Sequence, residues 1–347
     1  MTDLGKVDRE FFDEYIYPRL GAARDDVALG PTHGVDFGLL DIDGTAVAIA
    51  TDPVSVLPAL GFERAGRFAI DIVLSDIAVS GLDPSHLAVS FTLPPEMTDE
   101  QFAELWGAMH AEADDLGVSI VTGHTARYAG CSYPWVGGAT ALAVGDHDDV
   151  VRPDGARPGD DVLVTKGPGV EATGLLTTLF PDAFVDLDDD VLADAQARLD
   201  ETDAVRDAMT VSAAGGRGVH AMHDATECGV HGALNEIAES AGVQLEIDES
   251  SIPFRPGVRE TCDFLGIDPW RSTTAGSLVV ATDPDVTDDV VAALDARGTP
   301  VGVAGTVVAG EGVVVDGERI EHPDVDPSWA AYDRLAREAE QANADAE

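Results

Sequence analysis

The chain has 347 residues, and its 65 acidic against 20 basic side chains give a formal net charge of −45. Such a surface repels nucleic acid and anionic membrane and suits a halophile-type chain, whose dense carboxylates hold water and cations while salt screens their mutual repulsion. No long uncharged apolar run and no basic-then-apolar leader occurs, so we expect neither a membrane span nor a signal peptide. Three widely spaced cysteines, Cys131, Cys228 and Cys262, suit reduced thiols and a cytoplasmic location.

In chain order, the pattern predicts an opening helix over 7–20, then strands over 37–42 and 45–50 joined by Asp43-Gly44, a strong hairpin signal. An apolar helix over 68–80 follows, then a strand over 87–93 and a helix over 99–116 capped by Thr98. Strands over 118–122 and 135–144 close the first half. Asp, Arg, Pro and Gly dominate 147–160 and no period survives there, which marks a boundary. The second half opens with a strand over 161–165 and a helix from Val170. An Asp-rich segment then leads into a long helix ending near Ala213. Strands over 243–247, 277–281, 301–308 and 312–315 and helices over 256–265 and 286–296 complete it. Strands and helices mixed in this way define an α+β chain. We divide it into an N-terminal helix (1–20), a first domain (21–148), a second domain (158–322) and a charged tail (323–347).

The most informative stretch runs from Met222 to Val243. A strand (218–222) delivers Asp224, Thr226 and Glu227 into a turn, and an amphipathic helix follows with Val230, Leu234, Ile237, Ala238 and Ala241 at helical spacing. Peptide N–H groups at a helix start attract anions, and an Asp before them can hold magnesium, so the stretch reads as a nucleotide-phosphate site. The competing reading is an ordinary strand–turn–helix.

The first half adds separated acids where segments end or an apolar pattern breaks: Asp25-Asp26 before Val27, Thr51-Asp52 ending a strand, and Ser75-Asp76 inside an apolar helix. A carboxylate in such a helix is costly unless paired or bound to a cation. Dispersed carboxylates, magnesium and ATP together make a coherent site. Lys166, the only lysine besides Lys6, sits beside a Gly-containing turn, where it could grip an anion or be an ordinary surface residue. His220, His223, Cys228 and His231 lack the paired spacing of a zinc site, and His223 and His231 read as packed residues.

In these segments the chain resembles the AIR synthase (PurM-like) superfamily, and within it the hydrogenase maturation (HypE-type) branch. The matching residues are Asp25-Asp26-Val27-Ala28, Thr51-Asp52, Ser75-Asp76 through Pro84, Val121 through Thr125, His223 through Glu227 and Ala233 through Ala238, spanning roughly residues 20 to 325. The resemblance implies a two-domain fold: an N-terminal domain that forms a barrel across a homodimer and a C-terminal α/β domain. It implies ATP at the interface of the N-terminal domains, with Mg2+ held by Asp25, Asp52 and Asp76. Asp26, Thr51, Gly123, His124 and Thr125 would line the nucleotide, and Asp224, Glu227 and Lys166 would act on the substrate side. The implied reaction is phosphorylation of a carbonyl or amide oxygen of a small substrate. A catalytically degenerate ATP-binding partner protein and a small-molecule kinase stay open as alternatives.

The chain departs from the family at Arg24, which replaces a Gly before the first Asp pair. His124 stands where hydrogenase maturation relatives commonly carry an acid, and imidazole is a poor magnesium ligand. Cys228 replaces a Gly after Glu227. The sequence ends without the C-terminal Cys of the hydrogenase maturation proteins, so their literal role is not expected here.

Overall fold

The computed structural model describes residues 5–7 and 9–346. The opening helix predicted over 7–20 is a succession of short turns: α1 (Arg9–Phe11), a π turn over Phe12–Ile16 and a 3-10 turn over Tyr17–Arg19. Asp8 lies outside the described residues. Pro18 offers no N–H, which disfavours one continuous helix here.

The first domain is built on strands β1 (Val27–Leu29), β2 (Gly38–Ile42), β3 (Thr45–Ser55), β4 (Pro84–Leu93), β5 (Ser119–Arg127) and β6 (Trp135–Gly145). They form one six-stranded sheet in the order β1-β2-β3-β6-β4-β5. Asp43 and Gly44 both have positive φ, as the tight β2–β3 hairpin requires. Helices α2 (Phe62–Ala78) and α3 (Asp99–Asp115) lie on one face. Thr98 and Gln101 start α3 with reciprocal side-chain caps. Along β3 the residues from Ala46 to Val54 alternate, with Ala46, Ala48, Ala50 and Val54 buried and Thr51 and Pro53 exposed. One face therefore packs on the helices, and the other is open.

The second domain has strands β7 (Asp161–Thr165), β8 (Val219–Ala225), β9 (Gln244–Ile247), β10 (Ser277–Thr282), β11 (Val301–Val308), β12 (Gly312–Val315) and β13 (Glu318–Ile320), ordered β13-β12-β9-β11-β7-β10-β8. Its helices are α4 (Val170–Leu179), α5 (Asp189–Ala197), α6 (Val205–Gly215), α7 (Gly229–Ala241), α8 (Val258–Leu265), α9 (Pro284–Arg297) and α10 (Pro327–Ala346). The single long helix expected to end near Ala213 is two, α5 and α6, parted by a 3-10 turn and the Thr202–Ala204 link. Every residue of β8 and β10 is buried, because helices cover both faces of the sheet there. The two domains share a core: Val205, Ala208, Val211, Met222 and Leu278 pack in one cluster with Ile70, Leu74 and Ile77 of α2. That shared core brings the polar ends of α2, β3 and β8 to one place.

Candidate active site

Six elements deliver charge to one cluster. Asp52 comes from the helix-covered face of β3 and Asp76 from α2. His223 and Asp224 stand at the end of β8, Glu236 on α7, and Asp36 in the segment before β2. Asp52 and Asp76 share a hydrogen bond. The His223 ring lies between acids: Nδ1 is 2.8 Å from the carbonyl oxygen of Asp224 and 3.5 Å from Asp36 Oδ2, while Nε2 is 3.2 Å from Glu236 Oε2. His322 Nε2 is 3.7 Å from the other oxygen of Glu236.

The sixth element is the N-terminal arm. The backbone N–H of Lys6 donates to Glu227 Oε2 at 2.9 Å, and its ammonium donates to Thr226 Oγ1 at 3.5 Å. Gly5 before it has φ +111°, and a side chain there would strike Glu227 Oε2. A glycine is what lets the arm lie so close.

Negative charge exceeds positive in this cluster, and the titration of its groups follows. Burial pushes Asp36 up to about 8, with Asp224 and Glu236 adding to the shift against the pull of His223 and Lys6. Burial likewise raises Asp76, and the neighbouring Asp224, Asp52 and Asp36 raise it further. Asp52 and Asp224 are raised mainly by burial as well. Two groups are held charged against burial. His223 is pushed up to about 10 by Asp36 and Glu236, and Glu236 is held well below the usual range by His223. Lys6 is held as an ammonium by Glu236, Asp76, Asp36 and Asp224, which more than offset its desolvation among them.

The donor set fits a divalent metal. Oδ1 of Asp224 is buried with no hydrogen-bond partner, and oxygens of Asp36 and Asp224 fall within 4.8 Å of one another and of His223. Hard cations such as magnesium take carboxylate oxygens, so Asp36, Asp52, Asp76 and Asp224 are the candidate ligands. A nitrogen of His223 lies within the same 4.8 Å group, but imidazole is a poor ligand for magnesium.

The structure thus brings together Asp52, Asp76, Asp224 and Glu227 of the residues singled out in the sequence. It separates the others. Asp25 is exposed, and Asp26 is tied in an ion pair to Arg24 at the surface before β1. Thr51 faces the open side of the sheet, where its hydroxyl meets that of Thr140 at 2.9 Å. Gly123, His124 and Thr125 form no loop: β5 continues through them, paired in parallel with β4, and a Cβ on Gly123 would lie 2.3 Å from the carbonyl oxygen of Val89. They are exposed on the sheet's edge strand, with His124 Nε2 3.1 Å from the Tyr128 hydroxyl.

Lys166 is structural in its surroundings. Its ammonium forms an ion pair with Asp207 Oδ2 at 2.9 Å and donates to the carbonyl oxygens of Asp203 at 2.6 Å and Gly276 at 3.0 Å. The start of α7 also differs from expectation. Cys228 is its left-handed cap residue (φ 65°), and the Cys228 N–H donates to Asp326 Oδ2 at 2.9 Å. The chain's own carboxylate therefore takes one of the donors expected to hold an anion. Lys6, Asp36, His223 and Glu236 are the members of the cluster that the sequence did not mark. The scarcity of lysine was the one available signal, and it pointed equally to Lys166.

Two mixed α/β domains joined through one core, with carboxylates gathered where they meet, define a class of two-domain proteins rather than one reaction. The chain belongs to the AIR synthase related proteins: the N-terminal domain of that family matches residues 34–146 and the C-terminal domain residues 157–318. The carbamoyl dehydratase HypE of Rhizobium leguminosarum bv. viciae is 32% identical over 290 residues, covering 81% of this chain and 79% of the relative. The crystal structure of HypE from E. coli, a hydrogenase maturation protein, superimposes with a TM-score of 0.69 at 26% identity, covering 81% of this chain and 87% of that one. A structure of HypE in complex with ATP shares the fold at 24% identity, with a TM-score of 0.65 and coverage of 92% and 93%.

Proposed function

We propose that this chain is an ATP-dependent enzyme that phosphorylates a carbonyl or amide oxygen of a small substrate. The observation that carries this reading is the convergence of Asp36, Asp52, Asp76 and Asp224 in a cluster short of positive charge. Mg2+ bound there would neutralise the nucleotide's phosphates, and Asp52, Asp76 and Asp224 with Asp36 would hold it. The chain's own residues do the rest. His223 fixes Asp36 and Glu236 by charge. Lys6 brings a cation to the same cluster, and Glu227 anchors the arm that carries it. Calorimetry with ATP and Mg2+ tests the reading at constant high salt. We expect magnesium-dependent binding that is lost in Asp224→Asn; binding that ignores magnesium overturns the metal assignment.

The open face of the first sheet supports a homodimer. Val121, Trp135 and Val144 are 56%, 52% and 47% exposed, and the face also carries Thr51. A second copy on that face would enclose Thr51 and the edge strand with His124 and Thr125. Sedimentation of the full chain tests this, with a monomer at all concentrations as the contrary result.

A second reading, nucleotide binding without turnover, draws on the start of α7, where Asp326 occupies an N–H donor and Cys228 crowds the turn. ATP hydrolysis with a panel of amides and carboxylates separates the two. A stable phosphorylated product would mark a small-molecule kinase instead.

A further inference from the structure

Away from the acid cluster, a cleft opens between α2, α3 and the link into α6. Its volume is about 640 Å³, within the range of ~300–1,000 Å³ usual for small-molecule sites. Asp71 stands in its wall on α2. Asp76 lies five positions after Asp71, which turns the two side chains roughly 140° apart around the helix. Asp71 therefore shares a side with Arg67, one turn before it, while Asp76 looks toward Asp52 and Asp224.

Three guanidiniums line this cleft, those of Arg64, Arg67 and Arg206, against five carboxyl groups. Four of the five already have partners. Asp200 meets Arg64 at 2.7 Å, Asp203 meets Arg206 at 3.1 Å, and Glu112 and Asp115 also pair with Arg206. Asp71 does not. It is 5% exposed, and its Oδ1 is buried without a hydrogen-bond partner. Leaving such an atom unpaired is costly, so an external donor there would gain what the fold forgoes.

We propose that this cleft binds a small organic cation bearing amine or guanidine N–H donors, anchored on Asp71. The lining favours an organic ion over a metal. A hard divalent cation needs six or more oxygens, and the neighbouring carboxylates are held by arginine. Phe68 and Leu199 supply apolar wall for an alkyl chain, and the surplus of carboxyl over guanidinium groups attracts positive charge. The groups facing Asp71 are Arg67 on its own helix, Glu112 on α3, Asp203 in the link and Arg206 on α6; burial with Asp203 and Glu112 pushes its carboxyl up to about 8. Binding of a cation next to it is therefore accompanied by loss of a proton below that pH.

The test is calorimetry on the full chain with agmatine, an alkyl guanidine with an amine at its other end, at constant high salt. Wild type should bind, and binding should weaken as the pH falls below about 8. Asp71→Asn, nearly isosteric, should weaken it about tenfold or more. Ala111→Lys, which tethers a competing ammonium at an exposed helix position lining the cleft, should do the same, and it decides the matter if the Asn variant misfolds. Asp316→Asn, an exposed acid in the β12–β13 turn, should bind as wild type does. The proposal is overturned if wild type shows no binding, if both cleft variants bind as wild type does, or if Asp316→Asn loses as much as Asp71→Asn.

Discussion

The chain's two lysines meet opposite surroundings: Lys166 is buried, and Lys6 is exposed beside the acid cluster. Lys166 donates to two carbonyl oxygens and forms an ion pair with Asp207, joining β7 to β10 and to the start of α6. Lys6 lies in the field of four acidic groups, and among the described residues its ammonium makes one long hydrogen bond, to Thr226. A buried cation tied to three chain oxygens holds a fold together, while the proposed function uses an exposed one beside surplus acids to meet a ligand. Charge alone does not separate these roles; burial and hydrogen bonding do.

The largest effect that could break this contrast is on binding. Asp224→Asn should remove magnesium-dependent ATP binding while raising the melting temperature, because it relieves a crowded buried carboxylate. A variant that loses both binding and stability would show that Asp224 is structural. Lys166→Met should do the reverse. Losing one partner of a buried ion pair costs about 3–5 kcal/mol, lessened here because Arg297 also meets Asp207 at 3.0 Å. Urea unfolding at constant salt measures it, and a shift under about 1 kcal/mol would place Lys166 among surface lysines. Lys6→Met should leave the urea midpoint nearly unchanged and weaken ATP binding, and an unchanged affinity removes Lys6 from the site.

Asp71 sharpens the comparison through pH. Its carboxyl titrates at about 8 in the fold, against roughly 4 in the unfolded chain. Between these values the folded state keeps a proton that the unfolded state has released, so stability falls as pH rises through the window. Asp71→Asn should flatten that part of the stability–pH curve. Parallel curves for the two proteins would mean that Asp71 titrates normally.

Much of the architecture was legible because periodicity is local. The β2–β3 hairpin, α3 with its cap, and β11 and β12 follow from turn chemistry and spacing. Asp52, Asp76 and Asp224 were legible for a different reason: each is a charge where an apolar pattern requires none. Asp36 gave no such signal, since it lies in an irregular segment, and Glu236 looked like the polar face of an amphipathic helix. Their roles come from long-range convergence, which no spacing encodes. Gly123 misled because glycine signals a loop as readily as a close strand contact. Asp25 and Asp26 looked like Asp52 in sequence, but no buried element carries them inward.

The smallest effect concerns Cys228, at a helix start that would ordinarily favour a thiolate. Here burial and the nearby Asp326, Glu236 and Glu227 push its thiol up to about 12, and Sγ points to the carbonyl oxygen of Pro323 at 3.5 Å. The local acids outweigh the helix terminus, so alkylation by iodoacetamide at neutral pH should be far slower in the folded chain than in urea. Cys228 also holds a left-handed backbone conformation, which costs a side chain about 1 kcal/mol. Cys228→Gly should therefore stabilise the chain slightly and leave ATP binding intact. Rapid alkylation of the folded protein would instead make the thiol an accessible nucleophile, and the acid-rich cluster a poorer description of its surroundings.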